Sequence, residues 1–137
     1  MAAVAGLILG PAIVMGAVIG IIELFFVHAD EAHMQWYAHA FHALPFTILF
    51  VFVSMNITFA FALIGQKITE NAMVDLGIRG AIALIAIIKI QAAAAVAGRI
   101  GEKLIHTLII GALIFAAPYI WQFLGPMVSP MLPAFLQ

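Results

Sequence analysis

Residues 76–125 read LGIRGAIALIAIIKIQAAAAVAGRIGEKLIHTLIIGALIFAAPYIWQFLG, and this stretch decides the fold. Two apolar runs, Gly77 to Gly98 and Leu104 to Leu124, are separated only by Arg99 to Lys103. Each is near the ~20 residues an α-helix needs to cross about 30 Å of hydrocarbon. Neither alternates strictly, and in lipid only helices or closed barrels satisfy every backbone group. The runs are therefore expected to be helices, and so short a break forces them into a tight antiparallel hairpin.

Upstream lie two further apolar runs, Val4 to Val27 and Phe46 to Gly65, joined by His28 to Pro45 and followed by Gln66 to Leu76. The expected object is an all-α, membrane-type protein of about four helices ending in an antiparallel helical hairpin. It is read as a single domain over residues 1–137, with N-terminal hydrophobic helices in 1–65 and the hairpin with a Pro-rich tail in 66–137. Pro126, Pro130 and Pro133 should stop the last helix from extending. Pro11 should kink the first helix, and Gly6, Gly10, Gly16 and Gly20 form small-xxx-small pairs that let another backbone approach closely.

Composition supports this reading. Apolar residues make up 66% of the chain and charged residues 8%, against roughly 25% charged in ordinary soluble domains. A soluble chain of this size would leave large apolar patches facing water. Five basic and six acidic residues give a net charge of -1 with no run of either sign, so there is no footprint for a nucleic-acid duplex. The absence of cysteine removes disulfides, thiolate nucleophiles and zinc-thiolate sites. No basic residue precedes Lys67 and the first apolar run is too long for a secretory signal, so that run is expected to be retained. Lys67 and Arg79 around the second connection balance Arg99 and Lys103 in the third, so the positive-inside rule leaves orientation open.

The residues that could carry chemistry gather on one side. His28, His33, His39, His42 and His106 sit at helix ends or in the first connection, with Glu23, Asp30, Glu31 and Glu102. Imidazole and carboxylate are ligands of zinc, manganese and iron sites, and Glu102 and His106 at i,i+4 would share a helix face. No HExxH or repeated ExxH pattern is present. Three readings stand: an interfacial connection anchored by Trp36 and Tyr37, a metal site from His28, His33, His39, His42, Glu102 and His106, or a pH-responsive histidine cluster.

Lys89 is the most informative single charge, because a lysine at mid-bilayer costs on the order of 2.5–3.5 kcal/mol and points to a function or a partner. Glu23 and Asn56 are its candidate partners. An ion relay, an intersubunit bond and snorkelling to headgroups all remain open. Nothing suggests nucleophilic or acid–base catalysis: Ser54 and Ser129 have no histidine at a suggestive spacing, and GxGxxG is absent.

The Leu-Gly-x-x-Gly opening at Leu76, the Gly98-Arg99 turn and the glycine-bearing second helix resemble the conjugative pilins of type IV secretion systems. Those are small two-helix hairpins with a short basic loop. The resemblance covers about 50 residues of this chain. It implies a non-enzymatic subunit stored in the cell membrane and polymerised as a homo-oligomer into an extracellular helical filament that holds membrane lipid, with no other cofactor. It also implies other secretion-system components as partners, and single-stranded DNA passing without sequence-specific contacts. Carried onto this chain, the lipid-binding or lumen loop is Gly98, Arg99, Gly101 and Lys103, with Lys89 able to reach lipid or lumen from the preceding helix. The Gly and Ala faces would pack between subunits. An archaeal DNA-transfer pilin with an added N-terminal helical hairpin is the form that accommodates residues 1–65. The rival classes are a small ion or metal transporter using Glu23, Lys89 and the histidines, and an accessory subunit of a membrane redox complex.

Overall fold

The computed structural model describes residues 6–30, 35–97 and 103–136, without the side chains of 42, 68 and 93–97. Four long helices follow one another: α1 (Gly10–Asp30), α2 (Trp36–Leu63), α3 (Ala72–Ala97) and α4 (Leu104–Val128). Each runs antiparallel to the one before, giving an up-down-up-down bundle with α1 packed most extensively on α2. The all-helical expectation holds. Among the described residues, three helical segments are long and apolar enough to cross a membrane: Gly10–Asp30, Trp36–Leu63 and Leu104–Met131. This is a membrane-associated helical protein.

Helix boundaries follow local chemistry. α1 starts at Gly10, so Pro11 falls in the first turn, where its missing N–H has no intrahelical partner to lose. The expected kink is thereby replaced by a helix start, and Gly6 lies outside the helix. Gly65, with φ of +70°, ends α2. Its N–H donates to the Ala62 carbonyl and the Gln66 N–H to the Phe61 carbonyl, the two bonds of a Schellman cap. Asn71 caps α3: its Oδ1 accepts from the Met73 and Val74 amides at 3.0 and 3.3 Å.

One expectation at the prolines fails, and another holds a few residues late, since α4 runs past Pro126 but ends at Val128, before Pro130 and Pro133. α2 begins at Trp36 and passes through Pro45, so most of the supposed connection from His28 to Pro45 is helical. α4 passes Pro118 and Pro126 before giving way to 3-10 turns at Ser129–Met131 and Ala134–Leu136. A proline within a helix withholds an N–H from the carbonyl four residues earlier. For Pro118 that carbonyl belongs to Ile114, and Ser54 Oγ of α2 donates to it at 3.0 Å. The donor lost within α4 is thus supplied by a neighbouring helix, which also binds α2 to α4.

The core consists of apolar side chains from all four helices, with Ile19, Val51, Ala86, Ile110 and Ile114 at its centre. A Cβ on Gly16 would approach Ile48 Cα to 3.0 Å, and one on Gly20 would approach Leu44 Cδ2 to 2.8 Å. The small-residue face of α1 is therefore used within the chain, against α2, rather than between subunits. Gly111 admits Ile87 in the same manner, closing the α3–α4 hairpin.

Candidate functional site

Polar side chains collect at the two ends of this apolar bundle. At one end, α1 finishes where α4 begins. Asp30 Oδ2 accepts the Lys103 backbone N–H at 2.9 Å and lies 2.7 Å from His106 Nδ1, while Lys103 Nζ is 3.2 Å from Oδ1. The Asp30 side chain is 2% exposed and that of Lys103 67%, so a buried carboxylate is held by a surface cation. The His106 ring stacks on Phe26 at 4.3 Å. Nearby, His28 stacks on Trp36 at 3.8 Å and meets His39 edge-on at 5.3 Å. His39 is fully buried, and so is Glu23, about two helical turns below the end of α1.

At the opposite end, Arg79 of α3 is buried. Its Nε donates to Asp75 Oδ2 at 2.8 Å, one helical turn earlier, and its Nη1 donates to the Ser54 carbonyl of α2. Tyr119 of α4 donates to the same Asp75 oxygen at 3.0 Å, and its ring lies 5.6 Å from the guanidinium. Three helices are joined by this knot, whose charges cancel locally. Two residues further along α2, Asn56 acts as a surrogate strand. Its Oδ1 accepts from the Ile8 N–H at 2.7 Å and its Nδ2 donates to the Ile8 carbonyl at 3.0 Å. The segment before α1 is thereby fastened across the bundle end.

The expected site residues are distributed as follows. Gly98, Arg99, Gly101, Glu102 and His33 lie outside the described residues, as does the side chain of His42. His39 and His42 belong to α2 rather than to a loop, because the helix starts at Trp36. The expected shared face of Glu102 and His106 therefore falls outside the described residues; His106 itself turns to Asp30. Among the described residues, no three His, Asp or Glu side chains come close enough together to hold a metal ion. Lys89 is exposed on α3 and pairs with neither expected partner: Asn56 is committed to Ile8, and Glu23 is buried in α1. Its neighbour Gln91 turns inward and donates to Thr107 Oγ1 at 2.5 Å.

The Asp75–Arg79–Tyr119 knot is the arrangement the sequence reading missed. Its signal was present as an Asp and an Arg four residues apart in one helix, with Arg79 too far into α3 to be a loop cation. No protein family, no curated protein and no solved structure matches the chain.

Proposed function

We propose that this protein is a non-enzymatic pilin subunit of a conjugation or DNA-transfer system, held in the cell membrane and assembled with lipid into an extracellular filament. The observation that carries the reading is the outer surface of the α3–α4 hairpin. Leu84, Ile85 and Ile88 on α3, with Ile105, Leu108 and Ile109 on α4, are exposed along a tightly closed helix pair. Such a surface requires lipid or neighbouring subunits, and the hairpin coincides with the pilin-like residues. In this reading Gly98, Arg99, Gly101 and Lys103 form the loop that meets lipid headgroups or the lumen, with Lys89 reaching outward beside it. Juxtamembrane basic residues are worth about 1 kcal/mol each towards anionic lipid. Copies of the chain, other secretion components and DNA passing through the lumen are its partners.

Negative-stain microscopy of sheared cell-surface material, with the protein identified by mass spectrometry, tests this. Thin filaments of this chain with co-purifying lipid are expected. Recovery only as discrete detergent-solubilised oligomers overturns the proposal.

A second reading, ion transport, is favoured by the burial of Glu23 and His39 within membrane-type helices, since ionisable groups there are costly. It moves the functional emphasis from exposed Lys89 to Glu23. Proteoliposome flux abolished by Glu23→Gln supports it, and unchanged flux removes it.

A further inference from the structure

At the bundle end that carries the Asp75–Arg79 knot, the pre-α1 segment does not fill the space it crosses. A cavity of about 520 Å³ remains beneath it, walled by Leu7, Ile8, Phe59 and Trp121, with Arg79 and Thr58 among its polar groups. Its size is that of a site for a small organic molecule, and mostly apolar walls with a few convergent polar groups are what such sites present.

Arg79 is the group that gives this cavity chemistry. Its side chain is 8% exposed, and its hydrogen bonds account for Nε and Nη1 only. A guanidinium presents five N–H donors in a rigid planar fork. The two on Nη2 are bonded to no residue among those described, although Arg79 forms part of the cavity wall. Asp75 Oδ1 also lacks a hydrogen-bond partner among the described residues, and Asp75 is not part of that wall. The unmet capacity that borders the cavity is therefore a pair of charged donors, and it calls for an acceptor. A free inorganic anion would waste the apolar wall, whereas a neutral hydrocarbon would leave the Nη2 donors unmet.

We propose that this cavity binds an amphiphile with one anionic head group, carboxylate or phosphate, whose head accepts from Arg79 Nη2 and whose apolar tail lies along Leu7, Ile8, Phe59 and Trp121. The site is at the opposite end of the bundle from the hairpin loop and stands whether or not the chain forms a filament.

The test uses the full chain in phosphatidylcholine vesicles with Trp36→Phe, leaving Trp121 as the single tryptophan, excited selectively over the two tyrosines. Dibromostearate is expected to quench Trp121 saturably, with displacement by oleate, by phosphatidic acid or by both, and none by inorganic phosphate. Displacement by oleate alone assigns the head as a carboxylate, and by phosphatidic acid alone as a phosphate. Thr58→Phe, which fills the cavity without touching the knot, is expected to remove the saturable component. Arg79→Gln is expected to weaken binding about tenfold or more, as loss of a charge-assisted hydrogen bond does. Quenching that rises linearly and equally in Thr58→Phe reflects the bilayer alone and overturns the proposal. Displacement by inorganic phosphate shows an ion site, and unchanged affinity in Arg79→Gln shows a cavity indifferent to the head group. Either result overturns it too.

Discussion

The two ends of the bundle solve the same problem, charged groups in an apolar protein, in opposite ways. At the Arg79 end the cation and anion are both buried, one turn apart on the same helix, and are locked by Tyr119 and the Ser54 carbonyl from two other helices. At the Asp30 end only the carboxylate is buried, and its cation is a lysine that is 67% exposed. The first arrangement is a structural knot that cannot be opened cheaply. The second is a latch whose cation already faces the surroundings. Membrane-facing helices of low charge can thus carry fixed and releasable polar contacts in one small bundle, with burial deciding which is which.

The largest effect should come from cutting the knot. Arg79→Met leaves Asp75 without its cation, and breaking a buried pair from one side costs about 3–5 kcal/mol. Denaturant unfolding in detergent micelles, followed by helical circular dichroism, should show that loss. Asp75→Leu combined with Arg79→Met should recover most of it, because the double variant leaves no charge stranded. If the single variant unfolds like the parent, the contrast between the two ends is wrong.

Next in size is the strap. Asn56→Leu leaves the Ile8 N–H and carbonyl without their side-chain partner, at about 1–3 kcal/mol for part-buried polar groups. Hydrogen exchange at the Ile8 amide should accelerate together with the global loss. Acceleration at Ile8 with no change in global stability would show that the strap opens independently, as local unfolding units do.

The fold was largely legible because apolar runs near 20 residues have few physical solutions in lipid. The α3–α4 hairpin follows from only five residues, three of them charged, between two such runs, and Gly65 ends α2 at the boundary the pattern marks. What misled the reading was proline. Pro45 and Pro126 read as breakers, yet helices pass through both. At Pro118 the orphaned Ile114 carbonyl finds Ser54, a residue 60 positions away. No local pattern shows such a partner. The polar sites were harder still. Lys89, conspicuous as the cation in the middle of its run, is on the outside, while Arg79, which looked like a loop cation, is inside. Which way a helical side chain faces depends on the neighbouring helices, and the low amphipathicity of an all-apolar helix gives no face to read.

A smaller effect separates stacking from ion pairing at the latch. His106→Phe keeps an aromatic ring against Phe26 but removes the Asp30 contact. A loss of about 0.5–1.5 kcal/mol, typical of one hydrogen bond, is expected in the same denaturation measurement. His106→Ala should cost more, since it also removes the ring. Equal losses would mean that the Phe26 stack contributes nothing.

Lys103→Ala should have the smallest effect on stability and the most to say about function. An ion pair with so exposed a lysine contributes about 0.2–1 kcal/mol, and the backbone N–H that Lys103 gives to Asp30 survives the substitution. Removing the side chain should therefore shift unfolding by less than about 1 kcal/mol. If Lys103 belongs to a headgroup-binding loop, the same variant should nonetheless reduce the anionic lipid that co-purifies with the protein, measured by mass spectrometry of the extract. Reduced lipid with retained stability separates a lipid contact from a structural one. Retained lipid and retained stability would assign Lys103 to the latch alone, leaving any headgroup binding to Arg99.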